Sequence, residues 1–297
     1  MKKNLTILLV VCLCGACTSV KVASPALQPP AQLSKVKQAR SQLQAKKQTA
    51  KEIPPVLGGL VQSDSWIIYK DKQQEEFSGN VSYDNGTYNF KADYVLSERA
   101  KSRLTARGNV YLKQTEQDGS FYEVFADKAQ YNYKAQQGEV WSSKKAPVKL
   151  IYGDAKKQIS TALADHVTFN LDTNTFELSG NVRSERPSDN GMQHIRADNV
   201  LIRQADNFIR LEGNASLSDD KNALQADTLV YDGQNNQAYA EGGRVLAHGS
   251  APQGTFAIIA DKAESDIEGN TIVLNGRVQG WVVSPELKKA EKTAPHI

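Results

Sequence analysis

Apolar and polar residues alternate with a period of two along most of residues 58 to 283. In one example, Phe176, Leu178, Gly180 and Val182 are separated by single polar residues. This period is typical of a β-strand that buries one face. Turn-forming triplets such as Asp172-Thr173-Asn174 and Asp232-Gly233-Gln234 separate successive runs. The pattern therefore predicts antiparallel hairpins rather than helices.

The alternating region also repeats itself. An Ala-Asp pair occurs six times, and in five cases a glycine follows the alanine by sixteen positions. The pairs are Ala92-Asp93, Ala126-Asp127, Ala164-Asp165, Ala197-Asp198, Ala226-Asp227 and Ala260-Asp261, and the glycines are Gly108, Gly180, Gly213, Gly242 and Gly276. Ser63-Asp64 before Gly79 is a degenerate seventh copy, and Ser142 replaces the glycine of the third unit. These fixed offsets predict seven hairpin units.

Each unit places apolar residues at two fixed positions. The residues two positions after each aspartate and two positions before each glycine are apolar: Trp66, Val95, Ala129, Val167, Val200, Leu229 and Ala263, then Phe77, Ala106, Leu178, Leu211, Ala240 and Leu274. One hairpin is marginally stable in water, whereas seven together bury a continuous core. We therefore predict an all-β, elongated open roll of about seven antiparallel hairpins. The extra glycine of Gly242-Gly243 predicts a β-bulge.

The aspartate and glycine columns are predicted to be structural. We expect each aspartate at the end of a strand, where its carboxylate accepts backbone N–H bonds from a turn. The structural repeat residues are Asp93, Gly108, Asp165, Gly180, Asp198, Gly213, Asp227, Asp261 and Gly276. Calcium ligation is the alternative, but the nine-residue period of calcium-binding repeats is absent. We predict neither a metal site nor a cofactor.

The N-terminus has the features of an export signal. Lys2 and Lys3 precede an apolar run of about 12 residues, which is too short to cross a bilayer core that needs about 20. The run ends in Leu13-Cys14-Gly15-Ala16-Cys17, which resembles the lipobox of bacterial lipoproteins, although Cys14 replaces the usual aliphatic residue. We predict a signal peptide over 1–16 and a lipid anchor on Cys17. Cleavage nearby without acylation, or a short uncleaved anchor, is the alternative.

The remaining boundaries follow from composition. Residues 17–57 form a basic tether rich in Pro, Gln and Ala, which either is solvated or lies against anionic headgroups. Residues 58–283 form the β-region, with a possible division into two halves near 143–160, and 284–297 form a flexible tail. Thr18 follows the anchoring cysteine, so the sequence lacks an aspartate retention signal there, which favours the outer membrane.

Charge and cysteine content exclude several classes of function. The chain has 36 basic and 33 acidic residues, and nine of the basic ones lie in residues 1–51, which contain no acid. The rest of the chain has a net charge of −6, so we predict no nucleic-acid binding. All three cysteines lie at the N-terminus, which excludes internal disulfides and thiolate chemistry in the β-region. Neither the four histidines nor the repeated acids form a catalytic constellation, and we predict that the protein is not an enzyme.

Short motifs in the second strand of several units resemble a known family. Ala-Asp opens one strand, and Gly79-Asn80-Val81, Gly108-Asn109-Val110, Gly180-Asn181-Val182 and Gly213-Asn214-Ala215 lie in the next. This pattern, over about residues 60 to 283, resembles the OstA-like (organic solvent tolerance) family of periplasmic β-jellyroll proteins in lipopolysaccharide transport. The resemblance implies a V-shaped roll whose apolar interior shields acyl chains, and edge strands that pair end to end with other β-jellyroll transport proteins.

The resemblance leads to a functional hypothesis and a set of candidate residues. We expect a membrane-anchored periplasmic protein that binds lipopolysaccharide or a lipid A-like glycolipid. Candidate groove residues are Val95, Val110, Val167, Phe169, Leu178, Val182, Val200, Ile202, Leu211, Leu229, Tyr231 and Val278. The same residues fit plain core packing, so a closed envelope scaffold without lipid is the alternative. The apolar segment from Ile272 to Val283, with Trp281, is a candidate edge strand, unless the C-terminal tail covers it.

Overall fold

A computed structural model describes residues 59–116, 118–142, 146–156, 158–188, 191–251, 254–266 and 271–283. These residues form strands, turns and one 3-10 turn at Arg99–Lys101, and they contain no α-helix. No helix in this part of the chain is long and apolar enough to cross a membrane. The predicted signal, Cys17, the tether and the tail lie outside the described residues. The all-β fold predicted from the alternation is confirmed.

Eighteen strands follow one another along the described chain. They are β1 (Leu60–Gln62), β2 (Ser65–Tyr69), β3 (Gln74–Asp84), β4 (Tyr88–Glu98), β5 (Arg103–Thr115), β6 (Phe121–Asn132), β7 (Gln137–Trp141), β8 (Val148–Gly153), β9 (Ile159–Ala164), β10 (His166–Asn170), β11 (Thr175–Ser188), β12 (Gly191–Arg203), β13 (Phe208–Ser218), β14 (Ala223–Asp232), β15 (Gln237–Ala251), β16 (Gly254–Asp266), β17 (Ile272–Asn275) and β18 (Gln279–Val283).

The strands form one antiparallel ladder in chain order. Four pairs of short strands act as interrupted long ones: β1 with β2, β7 with β8, β9 with β10, and β17 with β18. For instance, β3 pairs with β2 through its first half and with β1 through its second half. Counted this way, fourteen strands form seven hairpins. The ladder continues through the middle of the chain, where β7 pairs with β10, and β9 with β8 and β11.

Every long strand is divided near its middle by a break in pairing. The register shifts between Ser78 and Val81 on β3, and equivalent shifts occur on β4, β5 and β11 to β16. We call the line of these breaks the crease. The half-strands paired with β2, β7, β10 and β17 form the first wall, and those paired with β1, β8, β9 and β18 form the second wall. Inward residues of both walls belong to one hydrophobic cluster, so the walls pack face to face.

Inward residues form continuous cross-strand rows. The first-wall row is Trp66, Phe77, Val95, Ala106, Ala129, Val140, Val167, Leu178, Val200, Leu211, Leu229, Ala240, Ala263 and Leu274. The second-wall row is Val61, Tyr83, Phe90, Leu112, Val124, Leu150, Ala162, Ser184, Ile195, Leu217, Leu224, Ala247, Ile258 and Gly280. Directly opposed side chains of this kind are the unit of sheet stabilisation.

Candidate functional site

The crease is built from a recurring group of three residues. An aspartate on one strand lies beside a Gly-Asn pair on the next, and both residues of that pair have positive φ, as at Gly108 (+71°) and Asn109 (+47°). The Asn109 amide donates to Asp93, with Nδ2 2.9 Å from Oδ2. Equivalent bonds join Asn80 to Asp64, Asn181 to Asp165 and Asn214 to Asp198. Each group therefore ties two neighbouring strands together where the ladder is interrupted.

Close packing explains why the first residue of the pair is glycine. A Cβ placed on Gly108 lies 2.2 Å from Oδ2 of Asp93, and one on Gly213 lies 2.4 Å from Oδ2 of Asp198. Non-bonded atoms do not approach so closely, and φ above zero is unfavourable for residues with a Cβ. Gly180 and Gly276 meet Asp165 and Asp261 in the same way.

Two expectations for the aspartates are wrong. Five of the aspartates lie inside long strands rather than at strand ends, because the ladder stays paired on both sides of the bulge: Asp93, Asp127, Asp198, Asp227 and Asp261. Asp165, between β9 and β10, does lie at a strand end. The hydrogen bonds that the aspartate carboxylates accept at the crease come from asparagine amides and, at Asp261, from the Arg277 guanidinium, rather than from backbone N–H groups of a turn. An aspartate and the apolar residue two positions later also do not share a face: Asp93 is exposed, whereas Ala92 and Val95 are buried.

Three units vary the crease. The predicted bulge at Gly242-Gly243 is present, and three residues rather than two separate the paired Glu241 from Val245. In the third unit, with Ser142 in place of glycine, the strand is interrupted between β7 and β8. In the last unit Arg277 replaces asparagine, and its Nη2 lies 2.8 Å from Oδ1 of Asp261. The hydrogen bond from Arg277 lowers the pKa of Asp261.

Small residues fill the interior next to the crease. A crease row of valine and alanine is at most 8% exposed: Val81, Ala92, Val110, Ala126, Val148, Ala164, Val182, Ala197, Ala215, Ala226, Val245 and Ala260. The alanine of the Ala-Asp motif and the valine of Gly-Asn-Val thus pair inside the roll, as Val81 does with Ala92. Because two close-packed walls converge here, larger side chains would overpack the row.

The structure brings eleven of the twelve candidate groove residues to the inner faces. Val110 and Val182 lie in the crease row, and Val95, Val167, Leu178, Val200, Leu211 and Leu229 lie in the first-wall row. Phe169, Ile202 and Tyr231 lie one step farther from the crease on the same wall. Val278 is 48% exposed between β17 and β18. No residue of the second-wall row was among the predicted groove residues, although the same alternation continues on that side of each aspartate.

Burial differs between the inner rows. Leu211 and Leu178 are only 1% and 2% exposed, so the first-wall row is tightly packed. In the second-wall row, Phe90, Leu112, Leu150, Leu217 and Leu224 are only partly buried. Several apolar side chains of this row therefore keep accessible surface, whereas the crease row and most of the first-wall row form the packed core.

Apolar side chains are also exposed at both ends of the ladder. Nine of the fifteen exposed large apolar residues of the described chain lie in or between the terminal strands: Leu60, Trp66, Ile67, Ile68, Ile272, Val273, Val278, Trp281 and Val282. The outer edges of β1 and β2, and of β17 and β18, have no strand partner among the described residues. Unpaired apolar edges are templates for the addition of another strand.

Other polar features do not form a metal centre in the described ranges. No group of three or more His, Cys, Asp or Glu side chains converges there in a way that would hold a metal ion. A depression of about 460 Å³ near the turns of β6, β7, β10 and β11 has Glu139 and Glu177 in its lining and no basic residue. His166 pairs with Glu139 at 3.1 Å on the same outer face.

Comparison with known proteins places the fold in a family. Residues 60–141 and 97–237, together more than half of the chain, match the model of the LptA/(LptD N-terminal domain) LPS transport protein family. Among solved structures, LptH, the LptA homologous periplasmic component of the lipopolysaccharide transport device from Pseudomonas aeruginosa, is 15% identical, with a TM-score of 0.35 over 41% of this chain and 81% of LptH. Among curated proteins, none matches. The resemblance seen in the Gly-Asn-Val motifs is confirmed, and the chain belongs to the LptA/LptD N-terminal domain family of LPS transport proteins.

Proposed function

We propose that this protein is a membrane-anchored periplasmic carrier that shields the acyl chains of lipopolysaccharide inside its roll during transport toward the outer membrane. The observation that carries the proposal is the second-wall row, an inner line of mostly apolar side chains, several of which are only partly buried: Phe90, Leu112, Val124, Leu150, Leu217 and Leu224. The chain belongs to a family of LPS transport proteins, and this membership supports the same ligand.

The energetics explain why such a row is needed. Moving a chain of about 12 carbons from membrane into water costs about 10 kcal/mol, at about 0.8 kcal/mol per methylene. Several chains on one molecule cannot cross an aqueous compartment unshielded at that cost. Contact with Phe90, Leu112, Leu217 and Leu224 replaces water around the chain without any covalent step.

A closed structural scaffold is the second candidate function. It is favoured by the near-complete burial of Leu178 and Leu211, because a fully packed interior has no space for a ligand. The two proposals differ in the second-wall row, which accepts acyl chains in the carrier and remains lipid-free in the scaffold.

Titration calorimetry with purified lipopolysaccharide separates the two proposals. Leu217→Gln places a polar group in the second-wall row, while Ser216→Gln changes the adjacent outward residue on β13. The carrier predicts saturable binding that Leu217→Gln weakens about tenfold, from the loss of one buried leucine, and that Ser216→Gln leaves unchanged. Absence of binding to a folded wild-type protein, shown by a cooperative thermal transition, supports the scaffold.

We further propose that the two terminal edges join this roll to other crease-bearing rolls. Within the ladder, strands with an aspartate alternate with strands that carry the glycine position; Asp93, for example, lies between the Gly-Asn pairs at 79–80 and 108–109. The N-terminal edge offers an aspartate, Asp64, and the C-terminal edge offers Gly276-Arg277. Because the ladder has fourteen antiparallel strands, its first and last strands run in opposite directions. The last strand of one roll can therefore pair antiparallel with the first strand of the next. The aspartate and glycine strands then continue to alternate across the junction, with Arg277 beside the incoming aspartate.

The anchor belongs to the same proposal. Acylation of Cys17 would hold the carrier permanently at a membrane, since several acyl chains each gain about 0.8 kcal/mol per buried methylene. We expect radiolabelled palmitate to be incorporated into the wild type and not into Cys17→Ser, and the wild type to fractionate with the outer membrane. Equal labelling of both proteins contradicts the anchor without affecting the proposal for the roll.

A further inference from the structure

The second wall becomes polar at its third inward position from the crease. Successive strands place hydrogen-bonding side chains next to one another there: Gln114 pairs with Tyr122, Tyr122 with Tyr152, and Tyr152 with Ser160. Arg186 pairs with Gln193, and it lies one residue beyond the Glu185–Thr161 pair that joins β11 to β9. We call this line of six residues the polar rim.

Arg186 points into the roll rather than into solvent. Along β11, Val182, Ser184 and Arg186 lie on the inward face, while Arg183 and Glu185 are exposed. Arg186 is 4% exposed and Gln193 is 8% exposed. The Arg186 Nε donates to Oε1 of Gln193. Among the described residues, Arg186 is the one lysine or arginine that is buried.

The chemistry of the guanidinium at this inward location suits an anionic ligand. The planar guanidinium donates two parallel hydrogen bonds to phosphate, and such charge-assisted bonds are stronger where water is excluded. Hydroxyl groups of Tyr152 and Ser160 on the adjoining strands add further donors to the polar rim.

The inner face of β11 therefore has a gradient along its length. It changes from the apolar Val182 at the crease to the cationic Arg186 over four residues, or about 13 Å of strand. An amphiphile with an acyl chain and an anionic head matches both ends of that gradient. The chain can follow the second-wall row while its head meets the polar rim.

We propose that Arg186 binds a phosphate group of an amphiphilic ligand whose acyl chain occupies the second-wall row. The proposal rests on the proposed shielding of acyl chains and adds the headgroup chemistry to it. The rim thereby gives the carrier a preference for phosphorylated lipids over neutral lipids of the same chain length.

Titration calorimetry with matched lipids tests the proposal. The probes are 1-lauroylglycerol 3-phosphate, 1-lauroylglycerol and inorganic phosphate, with both lipids below their critical micelle concentrations. The protein is the full chain carrying Cys17→Ser. We expect the phosphorylated lipid to bind about 10- to 100-fold more tightly than the neutral one, from hydrogen bonds to a charged group. Inorganic phosphate should bind far more weakly, because it buries no chain.

Two variants separate recognition from folding. Arg186→Gln should abolish the preference and leave the affinity for 1-lauroylglycerol unchanged. Gln193→Glu should weaken the preference by placing a carboxylate beside the guanidinium, and it provides the test if Arg186→Gln does not fold.

Four results overturn the proposal. Equal wild-type affinity for the two lipids overturns the proposed phosphate binding by Arg186 and leaves the proposed shielding of acyl chains intact. An equal loss of both affinities in Arg186→Gln would make Arg186 merely structural. Inorganic phosphate binding as tightly as the phosphorylated lipid would assign the rim to a free anion. Absence of binding to either lipid overturns the proposed shielding as well.

Discussion

Each crease glycine is subject to two separate constraints, a left-handed backbone and a carboxylate packed against its Cα. Gly213 has φ of +73° and lies against Asp198, whereas Gly86, in a turn, has φ of +83° and no atom within 4 Å of the point where a Cβ would lie. Comparison of Gly213 with Gly86 therefore separates the effect of backbone strain from the effect of side-chain overlap. Sequence spacing alone predicted the glycine column, but it did not reveal that the aspartate of the preceding Ala-Asp pair packs against each glycine.

Replacing these two glycines with alanine should have unequal effects. Gly86→Ala is expected to lower the free energy of unfolding by about 1–2 kcal/mol, the cost of a left-handed residue with a Cβ. Gly213→Ala should lose about 1–3 kcal/mol more, because Asp198 must move away from Asn214. Urea unfolding of both variants measures the difference, and equal losses would show that the carboxylate does not constrain this position.

Glu98 makes stability depend on pH. It is 4% exposed, accepts a hydrogen bond from Lys101 at 2.8 Å and also pairs with Arg103. The hydrogen bond from Lys101 lowers the pKa of Glu98 from its ordinary 4.5. A lowered pKa in the folded state stabilises the protein above pH 4.5, and this contribution is lost as the pH falls toward the folded-state value.

Glu98→Gln should therefore reduce stability at pH 7 and make the decline below pH 4.5 shallower than in the wild type. Thermal unfolding between about pH 3 and pH 7 measures both effects. If the two proteins lose stability in parallel as the pH falls, the ionised carboxylate of Glu98 is not the source of the dependence.

At the scale of the strand, alternation predicted the hairpins and the inward residues near each motif. It could not predict that strands continue through the crease, because a bulge and a strand end both interrupt the alternation. Ala92 and Val95, which both face inward, are three positions apart rather than two. The polar rim was missed for a different reason: from Arg183 to Arg186 both faces of β11 are polar, so alternation carries no signal there.

The edge strands should control association. Val282→Asp places a charge on β18, which is a terminal strand, and the native side chain is 64% exposed. Leu246→Asp is the matched control, since Leu246 is 39% exposed on β15, which is paired on both sides. Light scattering should show weaker self-association for Val282→Asp alone. Unchanged association would contradict edge pairing, and an equal effect of both variants would indicate general loss of surface hydrophobicity.

At the scale of the whole molecule, charge and apolar content are segregated. The basic excess behind the pI of 8.6 lies in residues 1–51, and the remainder of the chain carries a net charge of −6. The apolar residues are arranged in rows along a ladder of fourteen strands rather than around one compact centre. The proposed carrier function requires a long, lined interior of this kind rather than an isolated ligand pocket.

Photo-crosslinking in cells that make lipopolysaccharide tests the central claim most directly. Benzoylphenylalanine replaces Phe90, a partly buried residue of the second-wall row with a similar size, or the neighbouring Lys91, which is exposed on the outer face. The carrier predicts lipopolysaccharide adducts, detected by immunoblot, at position 90 and none at 91. Adducts at neither position, with Leu217 substituted in the same way also giving none, would contradict the proposal that lipid travels inside the roll.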